Sequence, residues 1–314
     1  MMIGPTKLDV IHKPVLIREV RRAFNLDNLA LLKKALRDVP RYIDATLGLG
    51  GHSLEIVKSG GFVLGIDDDE AMLEVAKIRL EKACSALNRK NEECFKLIQG
   101  NFRKIEEISG SLGHDLFLGI IFDLGVSTPQ LTSDTRGFSF ADPDAALDMR
   151  LSPKTQSVAA SDLLNSLRSD QLEELFGKVL DRKHSQRLAK RIIDYRSLRK
   201  IEKVGDFLGI IKGDSIKKEL HPATLPFLAL RIATNTELTN LEETLPKAFS
   251  LLKKGGRLAV ISFHSGEDRI VKSFFKSIKS QAIIISKSPI RPQADEIKDN
   301  PRARSAKMRV LERL

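Results

Sequence analysis

Tryptophan is absent from these 314 residues, and tyrosine and cysteine occur twice each. Cys84 and Cys94 show neither a C-x-x-C nor a metal-ligand spacing, which argues against a structural zinc or a disulfide framework. Both lie in or near a segment of helical periodicity and are expected on its surface. Long apolar runs are missing too. The longest, Leu116 to Val126, is too short to cross a bilayer and contains Asp123. The opening MMIGPTKLDV lacks the apolar centre of an export signal, so a cytoplasmic location without a membrane partner is expected. With so few other aromatics, stacking on a nucleobase would fall to phenylalanine. What is present is a 42% hydrophobic chain, long enough to bury the core of one large domain or two.

The net charge of +11 is concentrated in two places. Lys178 to Lys203 holds ten Lys/Arg against three Asp/Glu, and Asn300 to Leu314 holds five against one; the rest of the chain balances. Localised positive charge is the footprint of a polyanion, because each neutralised phosphate releases counterions. A soluble basic surface helix fits the charge count equally well.

The stretch YIDATLGLGGHS, Tyr42 to Ser53, reads as a strand ending at Asp44, a turn with Gly48, Gly50 and Gly51, and the start of a helix. Glycine lets backbone turn sharply and approach a ligand while the following N–H groups point at it. The dinucleotide fingerprint G-x-G-x-x-G fails, since Ser53 stands where its third glycine would be, and an ordinary strand-to-helix turn fits this stretch taken alone. The next apolar run, FVLGIDDDE, ends at Asp67, 19 residues after Gly48. That is close to the distance at which a βαβ unit offers a carboxylate to a ribose, and so it points to an adenosine-type cofactor. Asp68 and Asp69 suit a helix cap equally.

Further on, Leu29 to Leu36 and Met72 to Leu87 have helical spacing, Phe95 to Ile98 is a strand, and LFLGIIFDL reads as a central strand stopping at Asp123. HKPVL at 12–16 is too polar for a core element. From about Ser133 to Gly213 no strand pattern occurs; short helices span Val158 to Arg168 and Asp170 to Leu180, the second with an Asp170 and Glu173 cap pattern, followed by the basic helix. Leu238 to Leu252 is an amphipathic helix stopped by Lys253-Lys254-Gly255-Gly256. Strands follow at Arg257 to Ser262, Ala282 to Ser286 and Ala306 to Leu311, with a helix over Asp268 to Ile278. The expected fold is α/β: a seven-stranded Rossmann-like sheet formed by 1–132 and 214–314, with an all-helical insertion over 133–213.

Such a sheet, with a glycine loop after the first strand and acids ending the second and fourth, resembles the class I S-adenosyl-L-methionine-dependent methyltransferases. The resemblance narrows with HKPVL, DATLGLGGHS, FDLGVSTPQL, RGFSF, LDMR, HPAT, LRIATNTEL, ISFHSGEDRIVK and NPRARS. In this order, from end to end, they are similar to the bacterial 16S rRNA cytosine-N4 methyltransferase family. The resemblance implies methyl transfer to the exocyclic N4 of a cytidine in the decoding centre of the small ribosomal subunit. It puts the methionine part of the cofactor at Gly50, Gly51 and His52, the ribose at Asp67, the adenine near Phe102, and closes the pocket with Asp123 and Gln130.

Asp123, Ser127 and the carbonyls before Pro129 are the catalytic candidates, because an acceptor must draw on the amine hydrogens before a delocalised cytosine nitrogen attacks. Asp123 also suits a strand-end cap. His264 suits a structural hydrogen bond better than catalysis. Phe138 and Phe140 are candidates to stack on a base swung out of the RNA, or else loop anchors. Arg187, Lys190, Arg191, Arg302 and Arg304 are the phosphate-contact candidates, and the helical insertion is the RNA-recognition candidate. The chain departs from the family pattern at Ala145-Ala146, at Gly266, and at Asp181 to His184, where an acidic opening of the basic helix is usual. Methylation of another nucleic-acid amine, or RNA binding in subunit assembly without chemistry, are the competing readings. No metal is expected, and the residues leave monomer and homodimer open.

Overall fold

The structure, a computed structural model, describes residues 13–36, 38–110, 113, 116–126, 136–212 and 221–314. Its seven strands are β1 (Arg41–Asp44), β2 (Phe62–Asp67), β3 (Phe95–Gln99), β4 (Phe117–Asp123), β5 (Leu252–Ser262), β6 (Ala282–Ile284) and β7 (Lys307–Arg313). They lie in the order β3-β2-β1-β4-β5-β7-β6. The pairs from β3 to β5 are parallel, and β7 is antiparallel to both its neighbours. The chain winds outward from β1 in one direction through β3, then resumes beside β1 with β4. That reversal opens a crevice at the carboxyl ends of β1 and β4, where α/β sheets bind ligands.

Alternation along the strands sorts the core onto two faces. Tyr42, Val63, Ile121 and Ala259 pack with Ile56, Val57 and Leu80 on one. Ile43, Leu64, Ile120 and Val260 pack with Ile105, Leu241, Leu245 and Phe275 on the other. Gly119 of β4 is needed for this packing, since a Cβ there would stand 2.7 Å from the Tyr42 ring.

Several expectations are corrected. Val15 and Leu16 of HKPVL are core residues, and the Leu16 N–H donates to Glu296 at 2.6 Å. Cys84 and Cys94 are fully buried in the first core rather than on a surface. Lys253-Lys254-Gly255-Gly256 does not follow a helix end into a loop; the preceding helix is Glu237–Ser250, and the four residues lie within β5 as an irregularity opposite Phe117 and Gly119. Gly255 has φ +74°, and a Cβ on Gly256 would press on two carbonyl oxygens at 2.8 and 2.9 Å. The helix expected from Asp170 is Ser169–Gly177, and it is Gln171 that reaches back to the Arg168 N–H at 3.0 Å.

By its contacts the chain divides into Met1–Ser127 with Thr239–Leu314, and Thr128–Leu238. The second unit's described elements are helices: Ala160–Ser166, Ser169–Gly177, Arg182–Arg196, Val204–Ile211 and Thr224–Thr234. Phe207 joins them, its ring centroid 6.2 Å from Phe176 and 5.3 Å from Phe227. The contacts group the Thr224–Thr234 helix with these rather than with the sheet. In LDMR, Met149 has φ +58°, and Asn235 holds that strained turn: its Nδ2 donates to the Met149 carbonyl at 2.8 Å and its Oδ1 accepts the Leu151 N–H at 3.0 Å.

Candidate active site

The register of β1 with its neighbours builds the site. Asp44 is level with Gly65 of β2 and Ile121 of β4. Residues level in parallel strands point the same way, and alternation repeats every two residues. Asp67 and Asp123, each two residues further along, therefore share the face of Asp44 at the carboxyl end of the sheet.

The glycine loop follows directly. Gly48 and Gly50 have φ +51° and +72°, and Gly50 precedes the helix Gly51–Lys58. Among the described residues a Cβ on Gly48 would meet nothing nearer than the Thr46 carbonyl oxygen at 4.0 Å, so the space before it is open to them. A Cβ on Gly51 would collide with Pro14 at 2.8 Å, which explains why HKPVL and the glycines occur together. Asp67 fastens the loop: Oδ2 accepts the Gly48 N–H at 2.7 Å and Oδ1 accepts the Asp69 N–H at 2.9 Å. Burial pushes this carboxyl up to about 7 despite those two bonds. Its neighbours have other work. Asp68 accepts from Asn101 Nδ2 at 2.7 Å, and Asp69 caps the helix Glu70–Ala86 by accepting the Ala71 N–H at 3.1 Å. Phe102, half-buried, sits edge-on to Phe122 with centroids 5.6 Å apart.

Behind the loop lies a buried charged cluster that the sequence reading did not assemble. His52 is 4% exposed, and its Nε2 is 3.3 Å from Asp123 Oδ2. Asp44, 1% exposed, accepts from Ser53 Oγ at 2.7 Å. The Asp123 N–H donates to Thr46 Oγ1 at 2.6 Å, fixing the end of β4 to the loop. Among the described residues, Asp44 Oδ1, both ring nitrogens of His52 and Asp123 Oδ1 are buried without a direct hydrogen-bond partner. Burial raises the Asp44 carboxyl above the usual range, though His52 and Ser53 oppose it. Burial works against protonation of His52 as well, but the nearby Asp123 carboxylate, then the charges of Asp44 and Glu296, outweigh it and raise its pKa. The only available signals were the polar residues inside an otherwise apolar strand end and loop.

The other candidates are dispersed. Ser127, Pro129 and Gln130 lie outside the described residues. His264 begins the helix Ser265–Ser277, its Nδ1 accepting the Gly266 N–H at 3.2 Å. Phe138 is buried, with Arg136 over its ring, so it offers no free face to a base and anchors its loop instead. Phe140 is stacked on His221 at 4.5 Å and meets Phe227 edge-on, so one face is already taken. Arg187 and Lys190 are exposed on the Arg182–Arg196 helix, whose Leu188 and Ile192 are buried, and Arg191 donates to the Lys212 carbonyl at 2.8 Å. Arg302 and Arg304 are exposed on the turn Pro301–Ser305.

A parallel sheet with one antiparallel strand inserted next to its last parallel strand, a glycine loop after β1 and an acid ending β2 define a class I S-adenosyl-L-methionine-dependent methyltransferase. The residues fit that cofactor. Among the described residues open space stands before Gly48, a half-buried carboxyl beneath the loop keeps lone pairs for ribose hydroxyls, and orphaned acceptors at Asp44 and Asp123 suit a cationic sulfonium and ammonium. The model of the MraW methylase family matches residues 9–314, and the chain belongs to that family. Three relatives bear the name ribosomal RNA small subunit methyltransferase H. That of Dictyoglomus thermophilum is 39% identical over 310 residues, 98% of each chain. That of Methylacidiphilum infernorum is 41% identical over 292 residues, 86% of this chain and 87% of its own. That of Pseudothermotoga lettingae is 38% identical over 311 residues, 98% of this chain and all of its own. No described helix is long and apolar enough to cross a membrane.

Proposed function

We propose that this chain transfers a methyl group from S-adenosyl-L-methionine to the exocyclic N4 of a cytidine in the 16S rRNA of the small ribosomal subunit. The observation that carries this reading is Asp123: a strand-tip carboxylate on the same sheet face as Asp67, with one oxygen 3.3 Å from His52 Nε2 and the other buried and unpartnered among the described residues. S-adenosyl-L-methionine supplies an electrophilic methyl group on a sulfonium. The N4 lone pair of cytosine is spread into the ring and attacks poorly until an acceptor draws on an amine hydrogen; Asp123 Oδ1 is such an acceptor. As the nitrogen bonded the methyl carbon, the carbon–sulfur bond would break and the sulfur leave as a neutral thioether; the amine would become cationic, and Asp123 would take the proton it sheds. Gly48, Gly50, Gly51 and His52 line the cofactor side, Asp67 takes the ribose, and Phe102 borders the adenine. Ser127 and Pro129 remain catalytic candidates beside Asp123, and Gln130 a candidate for the cofactor pocket.

The insertion over 133–213 serves RNA recognition, with Arg187, Lys190 and Arg191 meeting phosphates, and Arg302 and Arg304 adding a second contact. Phe140, with one ring face on His221, remains a candidate for a base. Cytoplasmic small subunits are the expected substrate. The test is to incubate the protein with small subunits and methyl-labelled S-adenosyl-L-methionine, digest the RNA and identify the labelled nucleoside. N4-methylcytidine is expected; label in another nucleoside, or none, overturns the assignment.

A further inference from the structure

Resting on the reading of Gly48 to His52 as the cofactor loop, we propose that Glu296 is a positioning residue for the cofactor: across 280 residues of chain it fastens the segment Lys13 to Leu16 against that loop, and this clamp sets how tightly S-adenosyl-L-methionine is bound. Gly48 and Gly50 hold positive φ, and glycine loses more freedom on ordering than any other residue, so such a loop keeps its shape only where its surroundings impose it. Asp67 imposes it at Gly48, by accepting that N–H at 2.7 Å. Pro14 imposes it at Gly51. Its Cβ and Cγ lie 2.8 Å from where a Cβ on Gly51 would stand, so the ring is packed directly on the main chain of the loop.

Lys13 and Pro14 belong to no helix or strand, and Pro14 has no N–H with which to tie itself down. The tie comes two residues later. The Leu16 N–H donates to Glu296 Oε1 at 2.6 Å, which fixes a fully buried leucine at φ +55°, a conformation its side chain disfavours. With a carboxylate as acceptor, this is the strong bond of the set. Around it, Asn300 Nδ2 donates to the Lys13 carbonyl at 3.2 Å, and Lys13 and Arg18 pair with Asp299 at 3.4 Å and Asp295 at 2.8 Å. Both ion pairs are exposed to solvent and add little.

Glu296 is itself well anchored. It sits in the helix Ala294–Asp299, and the turn that follows buries Ala303 and Ala306 in the first core before β7 joins the sheet. On the other side, Arg21 of the helix Ile17–Ala23 donates to Glu55 at 2.6 Å, so the residues after Leu16 hold the helix Gly51–Lys58 as well. A line of contacts thus runs from β7 through Glu296, Leu16 and Pro14 to Gly51. Removing the Glu296 acceptor frees Leu16 from its strained φ and lets Pro14 move off Gly51. The cofactor must then order the loop on arrival, which weakens its binding.

The test measures cofactor binding and loop order, both without RNA. Equilibrium dialysis with methyl-labelled S-adenosyl-L-methionine is expected to show a Kd raised about tenfold or more in Glu296→Ala, and within about threefold of the wild type in Glu296→Gln, whose amide oxygen still accepts the Leu16 N–H. The Gly50 and Leu54 amides donate to the Leu47 and Gly50 carbonyls at 2.8 Å, and in the ligand-free protein they should exchange with deuterium faster in Glu296→Ala than in the wild type. Pro14→Ala, which removes the ring and keeps the Glu296 bond, should weaken binding too, and it carries the test if Glu296→Ala does not fold. Asp206→Ala, destabilised elsewhere, should bind the cofactor as the wild type does. An unchanged Kd in folded Glu296→Ala or Pro14→Ala overturns the inference, as does unchanged exchange at Gly50 and Leu54. Glu296→Gln binding as weakly as Glu296→Ala also overturns it, because charge rather than the bond then matters, and so does an equal loss in Asp206→Ala. A wild type that binds the cofactor but labels no cytidine fails the proposed function alone.

Discussion

The acids at the strand tips and the acids of the helical unit are the same residue types in opposite electrostatic settings. Asp44 and Asp67 are desolvated, raised in pKa, and in contact with hydroxyl or main-chain N–H donors. In the helical unit, Asp148 is forked by Arg150 at 2.8 and 2.7 Å, and Asp206 accepts the Lys203 N–H at 3.0 Å and Tyr195 Oη at 2.8 Å. Burial opposes ionisation there too, but those bonds outweigh it and lower both carboxyls. Acids whose partners are all supplied by the chain hold helices and turns together. Acids left incompletely satisfied await a ligand, and the protein tolerates their cost because the rest of the sheet is apolar.

The sharpest way to break this contrast is to remove an acid from each set. Asp123→Ala is expected to lower methyl transfer by about 10²- to 10⁴-fold while leaving RNA affinity and folding intact. Asp206→Ala should leave the chemistry alone and lower the melting temperature; activity assays beside thermal melts separate the two. The phosphate contacts come next. Reversing Arg187, Lys190 and Arg191 to Glu should flatten the dependence of log RNA affinity on log salt by roughly two to three units, read from binding titrations at several salt concentrations. An unchanged slope removes the basic helix from the interface.

Glycine substitutions give a smaller effect whose sign differs between the regions. Gly50→Ala forces a side chain into φ +72° and to 3.1 Å from Ala76 Cβ, and should cost about 1–3 kcal/mol in denaturant unfolding. Gly209→Ala, within the helix Val204–Ile211 and with no described residue within 4 Å of its new Cβ, should stabilise by about 0.5–1 kcal/mol.

Much of this architecture was readable because the signals were local. An apolar run that stops at an acid marked where β2 and β4 end, at Asp67 and Asp123, and glycine spacing marked the loop between β1 and its helix. Where the reading failed, the deciding contact was distant. Leu16 is buried by a turn that Glu296 anchors 280 residues later. Gly256 lies in β5, where a Cβ would press to 2.9 Å on the carbonyl oxygen of Phe117 across the ladder. Cys84 and Cys94 look superficial on a helix wheel, yet they pack into the core beneath β2 and β3. Nor does residue order relate Asp44 to His52 and Asp123; that grouping exists only because β1 lies between β2 and β4.

The smallest effects, in pH dependence, differ in sign between the two sets. Asp67 is raised in the folded state, so the folded ligand-free protein binds more protons than the unfolded chain between about pH 4 and 7, and its contribution to stability falls as pH rises through that window. Asp148 and Asp206 are lowered, so their contribution is present above the usual carboxylate range and is lost as pH falls below it. Melting curves against the wild type should diverge in opposite directions, those of Asp67→Asn between about pH 4 and 7 and those of Asp148→Asn below about pH 4.

Calorimetric titration of S-adenosyl-L-methionine at pH 7, in buffers of different ionisation enthalpy, tests the waiting-acid account most directly. Ribose hydroxyls and a cationic ligand favour an ionised Asp67, which burial holds near 7 beforehand, so binding should release about half a proton, and Asp67→Asn should abolish that release. Binding heats identical across buffers for the wild type, or a release that survives in Asp67→Asn, would contradict it.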